Sequence, residues 1–210
     1  QLDIISTKNT AYGYLSVNSG FKIEKLWNSY SINTKANIGP NNGKKYSFED
    51  KIFIRNSNLQ NIKKVELNYS ELSDNIIRVI KGTNFDYFST ETQNRFFYNE
   101  FLVTKLADRM GIRLSGHKLE NIISTNIKSE GLVRGAIQVP ADGNPIIMLS
   151  DHGTIGGYPK IGVVISADLD RVGQLTPGST INFKEVSLEE AQNIFKAYTE
   201  DTNKYLNECN

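Results

Sequence analysis

Four of the chain's five prolines, Pro140, Pro145, Pro159 and Pro177, fall within 38 consecutive residues, and seven glycines lie between Gly143 and Gly178. Proline fixes φ and has no N–H to donate, while glycine reaches backbone conformations closed to other residues. A segment so rich in both must turn often, and long helices do not fit in it. Between the breakers sit short apolar runs: Gly135 to Val139, with Ile137 and Val139 on one face, Ile146 to Leu149, Ile161 to Ile165, and Ile181 with Phe183. Upstream, Ile76 to Ile80 is a similar run ending at Gly82. Tyr12 to Val17 and the set Phe48, Ile52 and Ile54 have the same short character. Such runs, separated by Gly, Pro, Asn and Asp, predict a mainly β chain with a few helices, a barrel or sandwich rather than a parallel βαβ sheet. Pro140-Ala141-Asp142-Gly143-Asn144-Pro145 predicts a tight hairpin, because Asp-Gly tolerates positive φ.

Two segments carry helix signals. Thr90-Glu91-Thr92-Gln93 has the form of a capping box and leads into Phe96, Phe97 and Tyr98. Ser187-Leu188-Glu189-Glu190 has the same form, with Ser187 as cap and Glu190 reaching back. Beyond it, Leu188, Ala191, Ile194, Phe195, Tyr198, Tyr205 and Leu206 recur at helical spacing, which predicts a helix with one buried stripe running to the C-terminus. The aromatic cluster Phe85, Tyr87, Phe88, Phe96, Phe97, Tyr98 and Phe101 reads as core. Residues 59–75 are polar and patternless and read as a linker. It divides residues 1–58, the remnant of a first β domain, from residues 76–210, a β-barrel domain with a C-terminal helix.

Charge excludes several functions. With 24 basic and 23 acidic residues the net charge is +1, too little basic excess for a surface that neutralises phosphates, so no nucleic-acid partner is expected. No apolar run approaches the roughly 18 residues that span a bilayer, so no membrane association is expected. Cys209 is the only cysteine and there are two histidines, which leaves no zinc-ligand spacing and no metal site. No Walker loop, nucleophile elbow or dinucleotide fingerprint is present. A cytoplasmic location is the default.

The segment Asp151-His152-Gly153-Thr154-Ile155-Gly156-Gly157-Tyr158-Pro159 gathers an acid, an imidazole, a hydroxyl, a phenol and three glycines between two apolar runs. Turns between strands are where a rigid scaffold presents functional groups. His152 is a candidate general base, Asp151 is placed either to orient it or to bind a substrate amide, and Tyr158 is a further candidate catalytic group. Thr154, Gly156 and Gly157 are candidate substrate contacts. Their N–H groups are suited to an anion or oxyanion, although glycines also serve tight corners. Gln138, on the face opposite Ile137 and Val139, is either an inward amide that recognises a ligand or a solvent-facing one. Arg109 and Arg113 flank Gly111 and are placed to clamp a carboxylate or phosphate, or to pair with Asp108 or Glu120.

Taken in order, these residues resemble a known family. Asp108-Arg109-Met110-Gly111-Ile112-Arg113-Leu114-Ser115-Gly116, the run Gly135 to Pro140, Asp142-Gly143-Asn144-Pro145-Ile146, the run Asp151 to Ile161, Ala167-Asp168-Leu169, Gln174-Leu175 and Pro177-Gly178 carry the resemblance. The family is the KipI antagonist, also known as the C-subunit of 5-oxoprolinase or as allophanate hydrolase subunit 2. It is similar to the carboxyltransferase domain of biotin-dependent urea carboxylase. The match covers residues 76–190, and Tyr14-Leu15-Ser16-Val17 with Gly20, Ser29, Ser31, Gly39 and Asp50 fits an earlier family segment more loosely.

The resemblance implies a cyclophilin-like β-barrel and two partners, a KipI-like subunit and a LamB/YcsF-like subunit. It implies an ATP-dependent 5-oxoprolinase, with ATP used by the complex rather than held by a motif of this chain. Two alternatives are implied as well: an antagonist that binds a KipI-like kinase inhibitor, and a biotin-dependent carboxyl transfer to urea or a similar amide. The family pattern includes a longer N-terminal part with no counterpart in these residues. It also admits arginine at the position of His152. Arginine cannot accept a proton at neutral pH, so a contact or loop-shaping role suits His152 better than that of a base.

Overall fold

The computed structural model describes residues 7, 10–55, 75–124 and 126–208. The chain forms two compact units, Tyr14–Val65 and a larger one made of Gln1–Gly13 with Glu66–Asn210. The linker expected over 59–75 lies outside the described residues except for Asn75.

In the smaller unit the described residues form no named strand. Extended segments meet at single bridges, Phe21 with Ile54, Leu26 with Ser29 and Asn33 with Ile38. The Phe21–Ile54 bridge is flanked by Lys22 N–H donating to the Phe53 carbonyl at 2.7 Å and Arg55 N–H to that of Gly20 at 3.0 Å. Tyr14 to Val17, read as part of a strand, is irregular here, and Trp27, Phe48 and Phe53 are exposed.

The larger unit is the barrel. Its strands are β1 (Ile76–Lys81), β2 (Phe101–Val103), β3 (Gly111–Gly116), β4 (Glu130–Gly131), β5 (Ala136–Gln138), β6 (Ile146–Met148), β7 (Ile155–Gly156), β8 (Lys160–Val164) and β9 (Thr180–Glu185). Seven of them close in the order β1-β8-β5-β6-β3-β2-β9, and β4 pairs with β7 as a separate ribbon. An odd number of strands cannot alternate all the way around a ring. The exception falls between β1 and β9, which run parallel with Ile77 opposite Phe183, while every other barrel pair is antiparallel.

Alternation fills the interior. Ile77, Val79, Ile112, Leu114, Ile137, Val139, Ile147, Ile161, Ile181 and Phe183 form one buried cluster. Phe96 plugs it by stacking on Phe183, with ring centroids 4.5 Å apart. The hairpin expected at Pro140–Pro145 joins β5 to β6. Gly143 takes φ +72° there and its N–H returns to the Pro140 carbonyl at 3.0 Å. The mainly β barrel architecture is therefore as expected.

Three helices, α1 (Thr90–Tyr98), α2 (Leu169–Gly173) and α3 (Leu188–Glu208), complete the unit. The cap of α1 is Ser89 rather than Thr90, because its hydroxyl is the one that reaches the Thr92 N–H, at 3.2 Å. Gln93, freed from capping, donates to the Phe85 and Phe88 carbonyls. Tyr98 is 83% exposed, so it leaves the core expected for the aromatic cluster. At α3 the capping box forms as expected: Ser187 N–H donates to Glu190 Oε2 at 2.7 Å and Glu190 N–H to Ser187 Oγ at 3.1 Å. The buried stripe does not form. Leu188, Phe195, Tyr205 and Leu206 are exposed, because the helix packs mainly on the turn Ser166–Asp168 and runs past the barrel. Among the described residues no helix is long and apolar enough to cross a membrane.

Candidate functional site around the Asp151–Pro159 loop

Strand direction fixes where the loop runs. Strands β6 and β8 are both antiparallel to β5, hence parallel to each other. The end of β6 and the start of β8 therefore stand at opposite rims, about a strand length apart, on the order of 13 Å. The segment from Asp151 to Pro159 must climb the flank of the barrel between them. On the way it contributes β7, which pairs with β4 so that Glu130 faces Gly156. Leu132 N–H donates to the Thr154 carbonyl at 2.9 Å and Ile127 N–H to that of Gly157 at 2.8 Å. The loop is thus the inner strand of a ribbon laid over β5.

This path sorts the candidate residues into two groups. At the first rim Arg109 grips Asp151 with two bonds, Nε to Oδ2 at 2.9 Å and Nη2 to Oδ1 at 3.0 Å. The Asp151 N–H returns to the Arg109 carbonyl at 2.9 Å. The hydrogen bond to Asp151 raises the Arg109 pKa above its ordinary value, against a smaller opposing effect of burial. Arg109 thus pairs with Asp151 rather than with Asp108. Asp108 Oδ1 accepts from the N–H groups of Met110 and Gly111 and shapes the turn that presents Arg109. His152 follows, with Nδ1 2.5 Å from its neighbour's carbonyl at Gly153. Arg113, exposed on β3, does not join Arg109 in a clamp. Its charge acts on Asp142, whose pKa lies below the usual value. Burial opposes that shift, but the Asn144 donors and the Lys118 and Arg113 charges outweigh it.

At the second rim Gln138 is neither inward nor solvent-facing. It points away from the core, is buried beneath the ribbon, and donates from Nε2 to the Tyr158 carbonyl at 3.2 Å. Gly156 crosses directly over it: a Cβ there would lie 2.6 Å from Gln138 Nε2 and 2.8 Å from Leu132 Cδ1. Gly157 is similarly close to the Ile127 carbonyl, at 3.2 Å. Among Gly153, Gly156 and Gly157 none adopts positive φ. At Gly156 and Gly157 the missing side chain therefore serves close approach rather than an unusual backbone conformation. The Tyr158 ring is half-exposed, while Thr154 is exposed.

Sequence reasoning missed the residues that fasten this rim. Lys160 opens β8 and is buried, and its ammonium pairs with Glu130 of β4. Buried Asn84 accepts from the Lys160 N–H through Oδ1 at 3.0 Å, and its own N–H donates to the Lys160 carbonyl at 3.2 Å. The signal was a lysine at the first position of an apolar strand, where burial obliges it to find a carboxylate. The hydrogen bond from Lys160 holds the Glu130 carboxyl below the usual range, with burial opposing and the Lys160 charge and Asn84 assisting. Among the described residues no group of three or more His, Cys, Asp or Glu is placed to hold a metal ion.

Residues 1–185 match the family described as carboxyltransferase domain, subdomain A and B. The chain belongs to that family. Within this carboxyltransferase-domain family it is 34% identical over 194 residues to the C-subunit of 5-oxoprolinase from Haemophilus influenzae, covering 92% of this chain and 62% of that protein. It is 29% identical over 203 residues to urea amidolyase of Saccharomyces cerevisiae, covering 86% of this chain and 11% of that protein. The crystal structure of the Kluyveromyces lactis urea amidolyase superimposes with a TM-score of 0.75 at 25% identity, over 90% of this chain and 13% of that one. The chain thus spans under two thirds of the length of the 5-oxoprolinase subunit it matches.

Proposed function

We propose that this chain works as a subunit of a cytoplasmic 5-oxoprolinase complex, in which 5-oxoproline is opened to glutamate with hydrolysis of ATP, alongside a KipI-like and a LamB/YcsF-like subunit. The observation that carries the reading is the 34% identity to a 5-oxoprolinase C-subunit over 92% of this chain, which includes the whole Asp151–Pro159 loop. Water adds to the lactam carbonyl with charge developing on its oxygen, then the ring C–N bond breaks and the leaving nitrogen takes up a proton to become the amine of glutamate, while a second water is consumed as ATP goes to ADP and phosphate. Hydrogen-bond donors fixed in advance stabilise such charge. The loop suits a wall of that site because its position is fixed at both ends, by Arg109–Asp151 and by Gln138 with Lys160–Glu130. Asp151, His152, Thr154 and Tyr158 are the groups this wall presents.

Reconstitution with both partner subunits tests the reading. Glutamate formation from 5-oxoproline and ATP should require this chain and fall sharply with Asp151→Ala and Tyr158→Phe. Undiminished turnover without the chain, or with both substitutions, would sink it. The similarity to urea amidolyases favours one second reading, carboxyl transfer to urea or a similar amide. Transfer of label from bicarbonate to urea, with a biotinylated carrier supplied, would select it.

A further inference from the structure

The first rim has a further member that arrives from far away in sequence. Residues 10–13 belong to the barrel unit, although the smaller unit separates them from β1. Gln174 holds them there. Ala11 N–H donates to the Gln174 carbonyl at 3.1 Å, and Tyr12 N–H to Gln174 Oε1 at 2.9 Å. Gln174 is itself fixed at the end of α2, where its N–H returns to the Arg171 carbonyl at 3.0 Å and the next residue, Leu175, packs on the core. The chain beyond it joins the same rim. Gly178 N–H donates to the Val103 carbonyl and Val103 N–H to that of Ser179, both at 2.9 Å. Val103 ends β2 and leads into the turn that carries Arg109.

Tyr12 therefore stands at the Arg109–Asp151 end of the loop. Its phenol lies within electrostatic reach of the Arg109 guanidinium and adds the last and smallest of the influences that act on it, after Asp151 and burial. Tyr12 is 41% exposed, and among the described residues no hydrogen bond engages its hydroxyl. Arg109 has donors to spare as well. Its fork to Asp151 uses Nε–H and one N–H of Nη2, out of the five that a guanidinium carries. The rim thus brings together a phenol O–H and unspent guanidinium N–H groups. Arg109 and Asp151 cancel each other's charge, so the pair holds no special attraction for an anion. A neutral oxygen that acquires charge only during reaction gains more from such donors.

We propose that Tyr12 is a substrate-binding residue of this site, its O–H donating to the lactam oxygen of 5-oxoproline as that oxygen gains charge, with Gln174 as the positioning residue that holds it at the rim. This assignment rests on the 5-oxoprolinase reading and adds to it a donor from outside the Asp151–Pro159 loop.

Steady-state kinetics of the complex reconstituted with both partner subunits test it. Tyr12→Phe keeps the ring and the backbone bonds to Gln174 and removes only the O–H. It should lower kcat for 5-oxoproline about 100-fold, the scale of a lost oxyanion donor, and shift KM by less than about threefold, with the thermal midpoint of the chain unchanged. Gln174→Ala should lower kcat about tenfold alone and add no further loss to Tyr12→Phe, because it acts only through the phenol. A wild-type complex that forms no glutamate overturns the 5-oxoprolinase reading and this assignment with it. With an active wild-type complex, the assignment alone is overturned by a Tyr12→Phe kcat within about threefold of wild type, by a loss confined to KM, or by a further loss of about tenfold when Gln174→Ala is added.

Discussion

Arg109 and Asp151, 42 residues apart in sequence, hold each other by a fork of two hydrogen bonds at 2.9 and 3.0 Å. The arrangement turns an expected anion clamp and an expected catalytic acid into one unit. Arg109 is more than half exposed, so the pair adds little to stability, below about 1 kcal/mol. Its effect is to orient the start of the loop. Arg109→Ala, Asp151→Ala and the double variant should lower turnover by the reconstituted complex to a similar extent, because residues that act together are not additive. Arg109→Lys should recover little, since an ammonium cannot make the fork. Multiplicative losses in the double variant would show that the two residues act separately.

A second prediction concerns the other rim. The Glu130 carboxyl is held below its ordinary value of 4.5, first by the hydrogen bond from Lys160. A depressed folded-state value adds stability above the unfolded value, and that stability is lost as pH falls through the folded value. Glu130→Gln should cost about 1–2 kcal/mol at pH 7, less than breaking a fully buried pair because Glu130 is half-exposed. The difference between the two proteins should shrink as pH drops below 4.5. Asp142 and Glu190 are shifted in the same direction, but they are present in both proteins and cancel. Urea unfolding from pH 7 to pH 3 measures this, and a difference independent of pH would contradict it.

The glycines of the loop give a third. Gly156→Ala drives a methyl group into Gln138 and Leu132 and should cost about 1–3 kcal/mol. Gly153→Ala meets its nearest atom, the Ile155 carbonyl, at 3.3 Å and should cost less than about 1 kcal/mol. Adding Gln138→Ala to Gly156→Ala should return part of the loss by removing the amide in the way. Denaturant midpoints for the four proteins decide the order, and equal effects at positions 153 and 156 would contradict the close-approach account.

The same contrasts show what was legible in the sequence. Strands β1, β5, β6, β8 and β9 are marked by short apolar runs, and the β5–β6 hairpin by Asp142-Gly143, because burial and turn chemistry act locally. The α3 cap is equally local, set by Ser187 and Glu190. What failed depends on distant partners. Nothing in spacing says that Arg109 meets Asp151, or that a ribbon will cover Gln138. Tyr12, read as strand, lies alongside Gln174 instead, with its N–H on Gln174 Oε1 at 2.9 Å. The stripe on α3 has helical period, but periodicity does not supply a surface for it to pack on. Ala167-Asp168-Leu169 was legible only as part of a family pattern, and its physical role appears in the folded chain alone.

That role supplies the last prediction. Asp168 is fully buried at the turn after β8 and lies between two guanidinium groups. Arg78 reaches it with Nη2 on Oδ1 at 2.5 Å and backbone N–H on Oδ2 at 2.7 Å, and Arg171 with Nη2 at 3.1 Å. Arg171 also donates to the Ile76 carbonyl at 2.6 Å, so the carboxylate ties the start of β1 to α2. Asp168→Asn removes the negative charge but leaves both cations, one of them nearly buried, facing a neutral amide. Breaking a buried pair in this way costs about 3–5 kcal/mol. For a chain of this size that is a fall in thermal midpoint on the order of 10 °C. Arg78→Met should cost less, because Asp168 keeps Arg171 and the backbone N–H of residue 78. A fall of only a degree or two for Asp168→Asn, or a larger one for Arg78→Met, would show that the barrel closes without this carboxylate.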